Sequence, residues 1–319
     1  MRRNEGYTSI LEKYVVFVTC GIFRKGTTLE DAGVGKSEEF GELVRRSGDI
    51  LTRGQRRVAD YIVRHFDECA FQTSADIGKK AGVSEATVFR LSTTLGFKRF
   101  SRLQKFIRSG LVQRRIQRTA KPFEGIRDES AILAQVAQFD AENVHQTMTQ
   151  TSAANLRKAA ELILAAPAIC TIGVRSSAAT AFYLTAALNQ LFGNVTPLSL
   201  GLCDDFDRLR GMPAGTVVVG VSFFRYATQT LKIMRHARVL GLPTIVITDS
   251  VMAPPARFGE VVLLAATASI HFLPSQTAGI SLVNALLGCI ALRGCDRVGR
   301  SLKSFEKSLA DADIFCETP

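Results

Sequence analysis

Two groups of side chains in this 319-residue sequence have types and spacing that point to chemistry. The first is a set of basic and hydroxyl side chains around a Gly-Val-Ser corner at residues 82–84. The second is a set of serines and arginines that directly follow short apolar runs. Guanidinium and hydroxyl groups donate hydrogen bonds to phosphate and carboxylate oxygens, so both groups predict contacts with anions.

The positive charge of the chain is concentrated in one segment. The formal net charge is +11. Residues 45–121 carry 18 Lys or Arg against 6 Asp or Glu, whereas residues 122–319 carry 16 of each kind. A basic balance alone fits nucleic acid, a membrane surface or an acidic partner, but its confinement to the segment with the Gly-Val-Ser corner favours nucleic acid.

The basic segment predicts three short helices. Thr52 and Gln55 form a capping box at the start of the first, because each side chain can reach the backbone N–H of the other. A second helix is expected over residues 74–81 and a third over residues 84–95. Gly82 between them permits the positive-φ corner of a helix-turn-helix, whose later helix enters the major groove of DNA.

The predicted DNA contacts lie on the third helix and just after it. Arg90 suits guanine, and Thr87 suits a phosphate or a thymine methyl group. The later basic residues are expected to bind phosphates, which adds affinity rather than base choice. A solvated helix face is the alternative for any one of these residues. The predicted DNA-binding residues are Ser84, Glu85, Ala86, Thr87, Arg90, Lys98, Arg99 and Arg102.

The neutral segment predicts a parallel sheet between helices. After a linker at residues 122–130, the apolar spacing favours one long helix and a second over residues 153–165. Short apolar runs then alternate with helical stretches, and runs this apolar are buried on both faces. The five predicted strands are residues 168–172, 195–198, 216–221, 244–248 and 261–266.

Three loops after these strands carry side chains that bind anions. They are expected at the carboxyl edge of the sheet, where doubly wound sheets hold ligands, and two of them lead into helix N-termini that favour phosphate. Helix capping by the serines and pairing of the arginines with carboxylates of another subunit are the alternatives. The predicted residues of this small-molecule (effector) site are Arg175, Ser176, Ser177, Ser222, Arg225, Thr228 and Ser250.

Over residues 45–295 the chain resembles the RpiR family of transcriptional regulators. The resemblance implies an all-α helix-turn-helix domain followed by an α/β SIS (sugar isomerase) domain with a parallel, doubly wound, flavodoxin-like sheet. It also implies a homodimer or homotetramer that binds double-stranded operator DNA and senses a phosphorylated sugar or a related small anion. The matching residues are Ala81-Gly82-Val83-Ser84, Thr87, Arg90, Leu95-Gly96-Phe97, Gly173, Ser177, Ser222 and Thr248-Asp249.

The chain departs from the family pattern at the predicted effector loops. The first loop of the family reads G-x-G-x-S, and Arg175 stands here for its second glycine. The second reads S-x-S-G-x-T, and Phe224, Arg225 and Ala227 replace its inner serine, glycine and threonine. Fewer hydroxyls and two added guanidinium groups predict an anionic ligand that is a carboxylate or a larger phosphate compound.

Two other functions remain open. A sugar-phosphate isomerase shares the predicted fold, but its candidate bases are only Glu260 and His271. The second alternative is a constitutive DNA binder whose SIS domain only oligomerises. The four histidines have no metal-ligand spacing, and no nucleophile triad or nucleotide-binding loop occurs. The prediction is therefore no catalytic residue, no metal, no cofactor and no enzyme activity.

Composition and domain spacing complete the predictions. Seven scattered cysteines without a C-x-x-C pair favour a reduced cytoplasmic protein. The apolar run at residues 14–23 is too short for a membrane span and has no A-x-A cleavage pattern, so neither export nor a membrane partner is expected. The predicted domains are an extension at 1–44, the DNA-binding domain at 45–121, the linker at 122–130, the SIS domain at 131–295 and a helical tail at 296–319.

Overall fold

The computed structural model describes residues 36–120, 128–198, 205–271 and 273–311, with backbone alone at residues 37, 111–120, 310 and 311. The apolar run at 14–23 and most of the predicted linker lie outside the described residues. The chain divides into two units, here called the helical unit, which ends at residue 113, and the sheet unit, which begins at residue 114; residues 71–73 group with the second.

The helical unit contains six helices within the described residues. The predicted capping box is present, and the helices on either side of the Gly82 corner begin and end within a residue of their predicted bounds. They are α1 (Lys36–Arg46), α2 (Arg53–Arg64), α3 (Phe66–Cys69), α4 (Ser74–Ala81), α5 (Glu85–Thr94) and α6 (Phe100–Ala120), with a 3₁₀ turn at Gly48–Ile50 between the first two.

The core of the helical unit begins earlier than the predicted domain boundary. That boundary falls between residues 44 and 45, inside α1, and Phe40 of α1 is fully buried with its ring 6.0 Å from the ring of Phe66. Helix α2 ends at Arg64, and Phe66 lies in the separate short helix α3. The buried apolar residues Val58, Ile62, Ile77, Val88, Leu91, Leu103 and Ile107 complete this core.

The sheet unit begins with two helices and continues as an alternation of strands and helices. Each of the five predicted strands is present, with ends that move by up to two residues, and helices lie between the strands as predicted. In chain order the elements are α7 (Glu129–Gln150), α8 (Ala153–Ala165), β1 (Ile169–Ile172), α9 (Ala178–Phe192), β2 (Val195–Pro197), α10 (Asp205–Arg210), β3 (Val217–Val221), α11 (Thr228–Val239), β4 (Thr244–Thr248), β5 (Val261–Leu264), α12 (Thr277–Arg293) and α13 (Cys295–Asp311).

The five strands form one parallel sheet in the order β2-β1-β3-β4-β5. Alternate residues of each strand enter different cores, because successive strand side chains point to opposite faces. Val217 and Val219 pack in a core with residues of α8, α9 and α12, whereas Val218 packs in a second core with residues of α10 and α11. The predicted parallel sheet, buried on both faces, is confirmed.

Helix α7 is fastened to the segment that follows β5. The side-chain amide of Asn143 donates to the carbonyl of Ala268 at 2.7 Å and accepts from its N–H at 3.0 Å. The hydroxyl of Thr147 accepts from the N–H of Ala266 at 2.9 Å. Both side chains are buried, so α7 is a fixed part of the sheet unit.

In the part of the chain that the structure describes, no single helix is long and apolar enough to cross a membrane. Helices α12 and α13 meet that length and composition only as a pair, with a bend of 107° between them.

Candidate nucleic-acid interface and effector site

The corner between α4 and α5 has the geometry of a helix-turn-helix. Gly82 has φ of +66°, a value that side chains with a Cβ adopt only with strain. The N–H of Val83 donates to the carbonyl of Gly78 at 2.8 Å, which closes the turn. A Cβ at Gly78 would lie 3.0 Å from the carbonyl oxygen of Val83, so the glycine permits the close approach of α4 to the turn. A side chain at residue 78 would therefore be in tight contact with the turn.

Gln55 joins the start of α2 to the end of α5. Its Oε1 accepts from the N–H of Thr52 at 2.9 Å, and its Nε2 donates to the Thr94 hydroxyl at 2.8 Å. Thr94 in turn donates to the carbonyl of Arg90 at 2.9 Å. Since Gln55 is buried, this chain of hydrogen bonds holds α5 in a fixed orientation on α2.

The predicted DNA-contacting residues at and near the start of α5 differ in whether their side chains already have hydrogen-bond partners. Ala86 and Arg90 are exposed on the outward face of the helix. The carboxylate of Glu85 accepts a hydrogen bond from the Ser74 hydroxyl at 2.5 Å, which ties it to α4. Ser84 makes no side-chain cap hydrogen bond, and its hydroxyl lies 3.0 Å from that of half-buried Thr87.

Thr93 is an exposed residue that the sequence analysis missed. It lies seven positions after Ala86 and three after Arg90, which puts all three on one helical face. Its hydroxyl donates to the carbonyl of Phe89 at 3.3 Å. Helical periodicity places Thr93 on the face opposite the buried Val88 and Leu91, so its exposure could have been predicted from the sequence.

The basic residues after α5 are also of two kinds. Lys98, Arg99 and Arg102 are exposed, which suits their predicted role as phosphate contacts. Arg108 instead donates from Nε to the carbonyl of Ala70 at 2.8 Å and therefore fastens α6 to the end of α3. The side chains of Arg114, Arg115 and Arg118 lie outside the described residues.

In the sheet unit, the loops after β1, β3 and β4 meet at the carboxyl edge of the sheet. The N–H of Phe223 donates to the hydroxyl of Ser177 at 3.0 Å, which joins the first loop to the second. The Thr248 hydroxyl donates to the carbonyl of Ser222 at 2.7 Å, and Asp249 accepts from the N–H of Phe224 at 3.2 Å. These bonds join the second loop to the third.

Close backbone packing shapes the first loop. A Cβ at Gly173 would lie 2.5 Å from Cβ of Ala181 and 2.8 Å from the carbonyl oxygen of Ser177, so this position requires glycine. Arg175 has φ of +58°, the left-handed conformation that glycine adopts readily. The side chain of Arg175 is exposed while that of Ser177 is buried.

Several predicted effector residues already have hydrogen-bond partners. The Ser177 hydroxyl accepts a hydrogen bond from the N–H of Phe223, and the Ser250 hydroxyl accepts one from the N–H of Met252 at 3.1 Å. Ser222 is buried with 2% of its surface exposed. Ser176 and Ser250 are half-buried and Thr228 is exposed at the start of α11, so these three are the accessible hydroxyls of the predicted set.

Arg175 and Arg225 give this edge a positive charge. Among the described residues neither guanidinium has an ion pair or a hydrogen bond. The pKa of Arg225 is lowered, first because its surroundings exclude water although much of the side chain remains exposed, and second because Arg175 places another positive charge nearby. A bound anion would lower the repulsion between two like charges that have no ion pair among the described residues.

The two candidate bases for isomerase chemistry lie in unfavourable surroundings. Glu260 directly precedes β5, at the amino edge of the sheet, and its carboxylate pairs with Lys158 at 3.0 Å. His271 is exposed, and its Nδ1 accepts from the N–H of Leu273 at 3.1 Å. Glu260 is therefore at the opposite edge of the sheet from the three joined loops.

Together, the helix-turn-helix and the parallel sheet with joined loops define a DNA-binding regulator class with an added SIS domain. A family model described as "Helix-turn-helix domain, rpiR family" matches residues 39–113, and a SIS domain model matches residues 162–288. The sugar isomerase domain of an RpiR transcription factor from Sphaerobacter thermophilus is 34% identical, with a TM-score of 0.52. The match covers 55% of this chain and 97% of that structure. The chain belongs to the RpiR family of transcriptional regulators.

Two further proteins are similar to most of the chain. An uncharacterized HTH-type transcriptional regulator of Haemophilus influenzae is 25% identical over 232 residues, which are 70% of this chain and 80% of the relative. The structure of the Vibrio vulnificus NanR protein has a TM-score of 0.62 at 20% identity and covers 85% of this chain and 97% of that one. The NanR likeness shows that the fold is shared.

Proposed function

We propose that this transcriptional regulator works in the cytoplasm, binds operator DNA through its helical unit, and changes that binding when a phosphorylated sugar or related small anion occupies the sheet unit. The observation that carries the proposal is that Arg175 and Arg225 lie at three joined loops and have no ion pair among the described residues, in a chain whose other unit has helix-turn-helix geometry. The NanR protein of similar fold was solved in complex with ManNAc-6P, which supports a phosphorylated ligand.

The proposed DNA-binding site consists of α5 and the basic residues after it. Ala86, Arg90 and Thr93 form its base-reading face, and Arg99 and Arg102 contact phosphates. Glu85 is proposed to orient α5 through Ser74 rather than to touch DNA. We propose no enzyme activity, because neither Glu260 nor His271 is a suitable base at the loop edge.

A hydrogen-bond chain within the sheet unit supplies a route for the proposed response. Thr180, in the first turn of α9, donates to the side chain of Gln276 at 2.8 Å. The neighbouring hydroxyls of Ser275 and Thr277 donate to the two carboxylate oxygens of Asp140 on α7 at 2.5 and 2.8 Å. Helix α7 follows the segment that continues from α6, so a shift at the effector loops reaches the helix nearest in sequence to the DNA-binding unit.

Such a route requires evidence that ligand binding and DNA binding are coupled through it, and the variant Asp140→Asn tests this. We expect Asp140→Asn to bind the ligand with normal affinity but to show a smaller change of DNA affinity when the ligand is added. Glu142→Gln is the matched control, because Glu142 is an exposed carboxylate on the same helix. Equal ligand responses in the wild type and Asp140→Asn would contradict the route.

Self-association is also proposed. The sheet unit exposes large apolar side chains on three helices: Leu133 on α7 is 71% exposed, Phe182 on α9 is 76% exposed, and Leu292 on α12 is 81% exposed. Burial of such surface against a second copy is favourable. Sedimentation analysis is expected to give a homodimer or homotetramer, and a monomer at micromolar concentration would contradict this proposal.

The experiment for the whole function is fluorescence anisotropy on the DNA upstream of the protein's own gene, with unrelated DNA as the control. A panel of phosphorylated sugars is added to each. Selective binding that one compound shifts is the expected result. Selective binding that no compound shifts would favour a constitutive DNA binder, and equal salt-sensitive binding to both DNAs would overturn operator recognition.

A further inference from the structure

Charge at the loop edge indicates the chemical class of the ligand. The loops after β1 and β3 are adjacent because these strands are neighbours and because the Phe223 N–H donates to the Ser177 hydroxyl. Arg175 precedes Ser177 by two residues, and Arg225 follows Phe223 by two residues. The two guanidinium groups therefore extend from one junction.

Most of the hydroxyl groups at this junction, and the carboxylate of Asp249, already take part in hydrogen bonds within the protein. Ser177, Ser250 and Asp249 accept backbone hydrogen bonds, and the Thr248 hydroxyl donates to a backbone carbonyl. The side chains left for a ligand are thus the two guanidinium groups and a few accessible hydroxyls of the same loops. A ligand that presents only hydroxyl groups beyond its phosphate would leave this extra positive charge uncompensated.

Two kinds of positive potential coexist at the same edge. The N-termini of α9 and α11, which directly follow the two loops, orient N–H groups that favour one phosphate. Arg175 and Arg225 then add two full positive charges, each with a planar fork of donors that matches the two oxygens of a carboxylate. One phosphate at the helix N-termini leaves guanidinium charge for a second anionic group.

We infer that the effector of this protein is a phosphorylated sugar acid, whose phosphate lies at the helix N-termini and whose carboxylate is held by Arg175 and Arg225. This inference rests on the proposed function and adds the ligand class to it. The two arginines act as specificity-determining residues, because they distinguish the acid from the corresponding neutral sugar phosphate.

The test uses pairs of compounds that differ mainly by a carboxylate. The pairs are 6-phosphogluconate with glucose 6-phosphate, and 3-phosphoglycerate with glycerol 3-phosphate; gluconate and inorganic phosphate test each anionic group alone. Thermal unfolding of the full chain is measured with each compound, because a ligand that binds the native state raises Tm. The expected result is a larger rise with the carboxylated member of a pair than with its partner.

Variants assign the difference to the arginines. Arg175→Gly keeps the positive φ without strain, and Arg225→Gln keeps much of the side-chain length. Each variant is expected to lower the affinity for the carboxylated compound by about tenfold, while the affinity for the neutral sugar phosphate changes by less than about threefold. Arg235→Gln, an exposed arginine two turns into α11, is the matched control and should change neither affinity.

The outcomes separate this inference from the proposed function. The sugar-acid inference is overturned if no carboxylated compound raises Tm more than its uncarboxylated partner. It is also overturned if the arginine variants lower the affinity for both compounds of a pair equally. A neutral sugar phosphate that raises Tm and shifts DNA affinity would in that case still support a phosphosugar-responsive regulator. Arg225→Lys should recover only part of the preference, because an ammonium keeps the charge but lacks the planar fork.

Discussion

The side-chain amide of Gln55 donates a hydrogen bond to the hydroxyl of Thr94 at 2.8 Å while its carbonyl caps the N–H of Thr52 at 2.9 Å. One buried side chain thus forms hydrogen bonds both at the start of α2 and at the end of α5. Helix α5, which carries the proposed base-reading face, is therefore oriented in part by a residue of α2. This relationship makes Gln55 a position where stability and DNA binding should change together.

Gln55→Ala should lower the free energy of unfolding by about 1–3 kcal/mol, because the variant loses the capping box and leaves Thr94 without its donor. Thr94→Val tests the link to α5 alone. Urea unfolding of both single variants and the double variant measures the coupling between them. If their effects are simply additive, the hydrogen bond does not link the two helices energetically.

Gly82→Ala should destabilise the protein by roughly 1–2 kcal/mol, because alanine adopts the left-handed conformation that φ of +66° requires only with strain. Gly41→Ala is the contrasting control, since Gly41 lies in α1 and a Cβ at this position would have no atom within 4 Å among its non-local neighbours. There alanine should be neutral or stabilising by up to about 1 kcal/mol. Similar losses at both positions in thermal unfolding would argue against conformational strain at the corner.

Arg90→Ala and Arg99→Ala should affect DNA binding in different ways. Arg90 is exposed on the proposed base-reading face of α5, so its loss should cost about 1–3 kcal/mol of binding free energy on the preferred DNA site and relax base choice. Arg99 precedes α6, and its loss should weaken all sequences and reduce the salt slope by about 1. Anisotropy titrations on preferred and scrambled DNA at several salt concentrations measure both effects. Indistinguishable variants would contradict separate base and phosphate contacts.

Ser177→Ala should lower the free energy of unfolding by about 1–3 kcal/mol, since it leaves the buried N–H of Phe223 without an acceptor. The neighbouring Ser176→Ala should stay within about 0.5 kcal/mol of the wild type, because Ser176 is only half-buried. Chemical denaturation compares the two. A larger loss of unfolding free energy in Ser176→Ala than in Ser177→Ala would show that the loop junction depends on the Ser176 hydroxyl instead.

Alkaline pH should destabilise the sheet unit through Cys170. Burial raises the pKa of this thiol to about 11, whereas a thiol in the unfolded chain ionises near pH ~8.5. The folded state therefore keeps the proton while the unfolded state loses it, and stability falls by about 1.4 kcal/mol per pH unit between these values. The stabilisation is fully present below pH ~8.5.

Denaturation of the wild type and Cys170→Ala at several alkaline pH values tests this linkage. The variant should be less stable throughout, because it leaves a cavity in the core, but its stability should fall less steeply with pH. Parallel curves for the two proteins would show that Cys170 does not carry the alkaline loss.

The sequence by itself determined the elements and the class of fold. The Thr52 and Gln55 capping box, the Gly82 corner and the apolar strand runs depend on residues close in the chain, so local propensity and side-chain period were sufficient to predict them. The carboxyl edge of the parallel sheet also followed from the alternation of strands and helices.

Only the tertiary structure decided the partners of individual side chains. Glu85 is tied to Ser74, Arg108 to Ala70, and Ser177 to Phe223, although the sequence pattern presented the serine and both charged residues as free to bind a ligand or DNA. These contacts join residues 11, 38 and 46 positions apart. Such pairs depend on how whole elements pack, because packing sets which buried polar groups must satisfy one another.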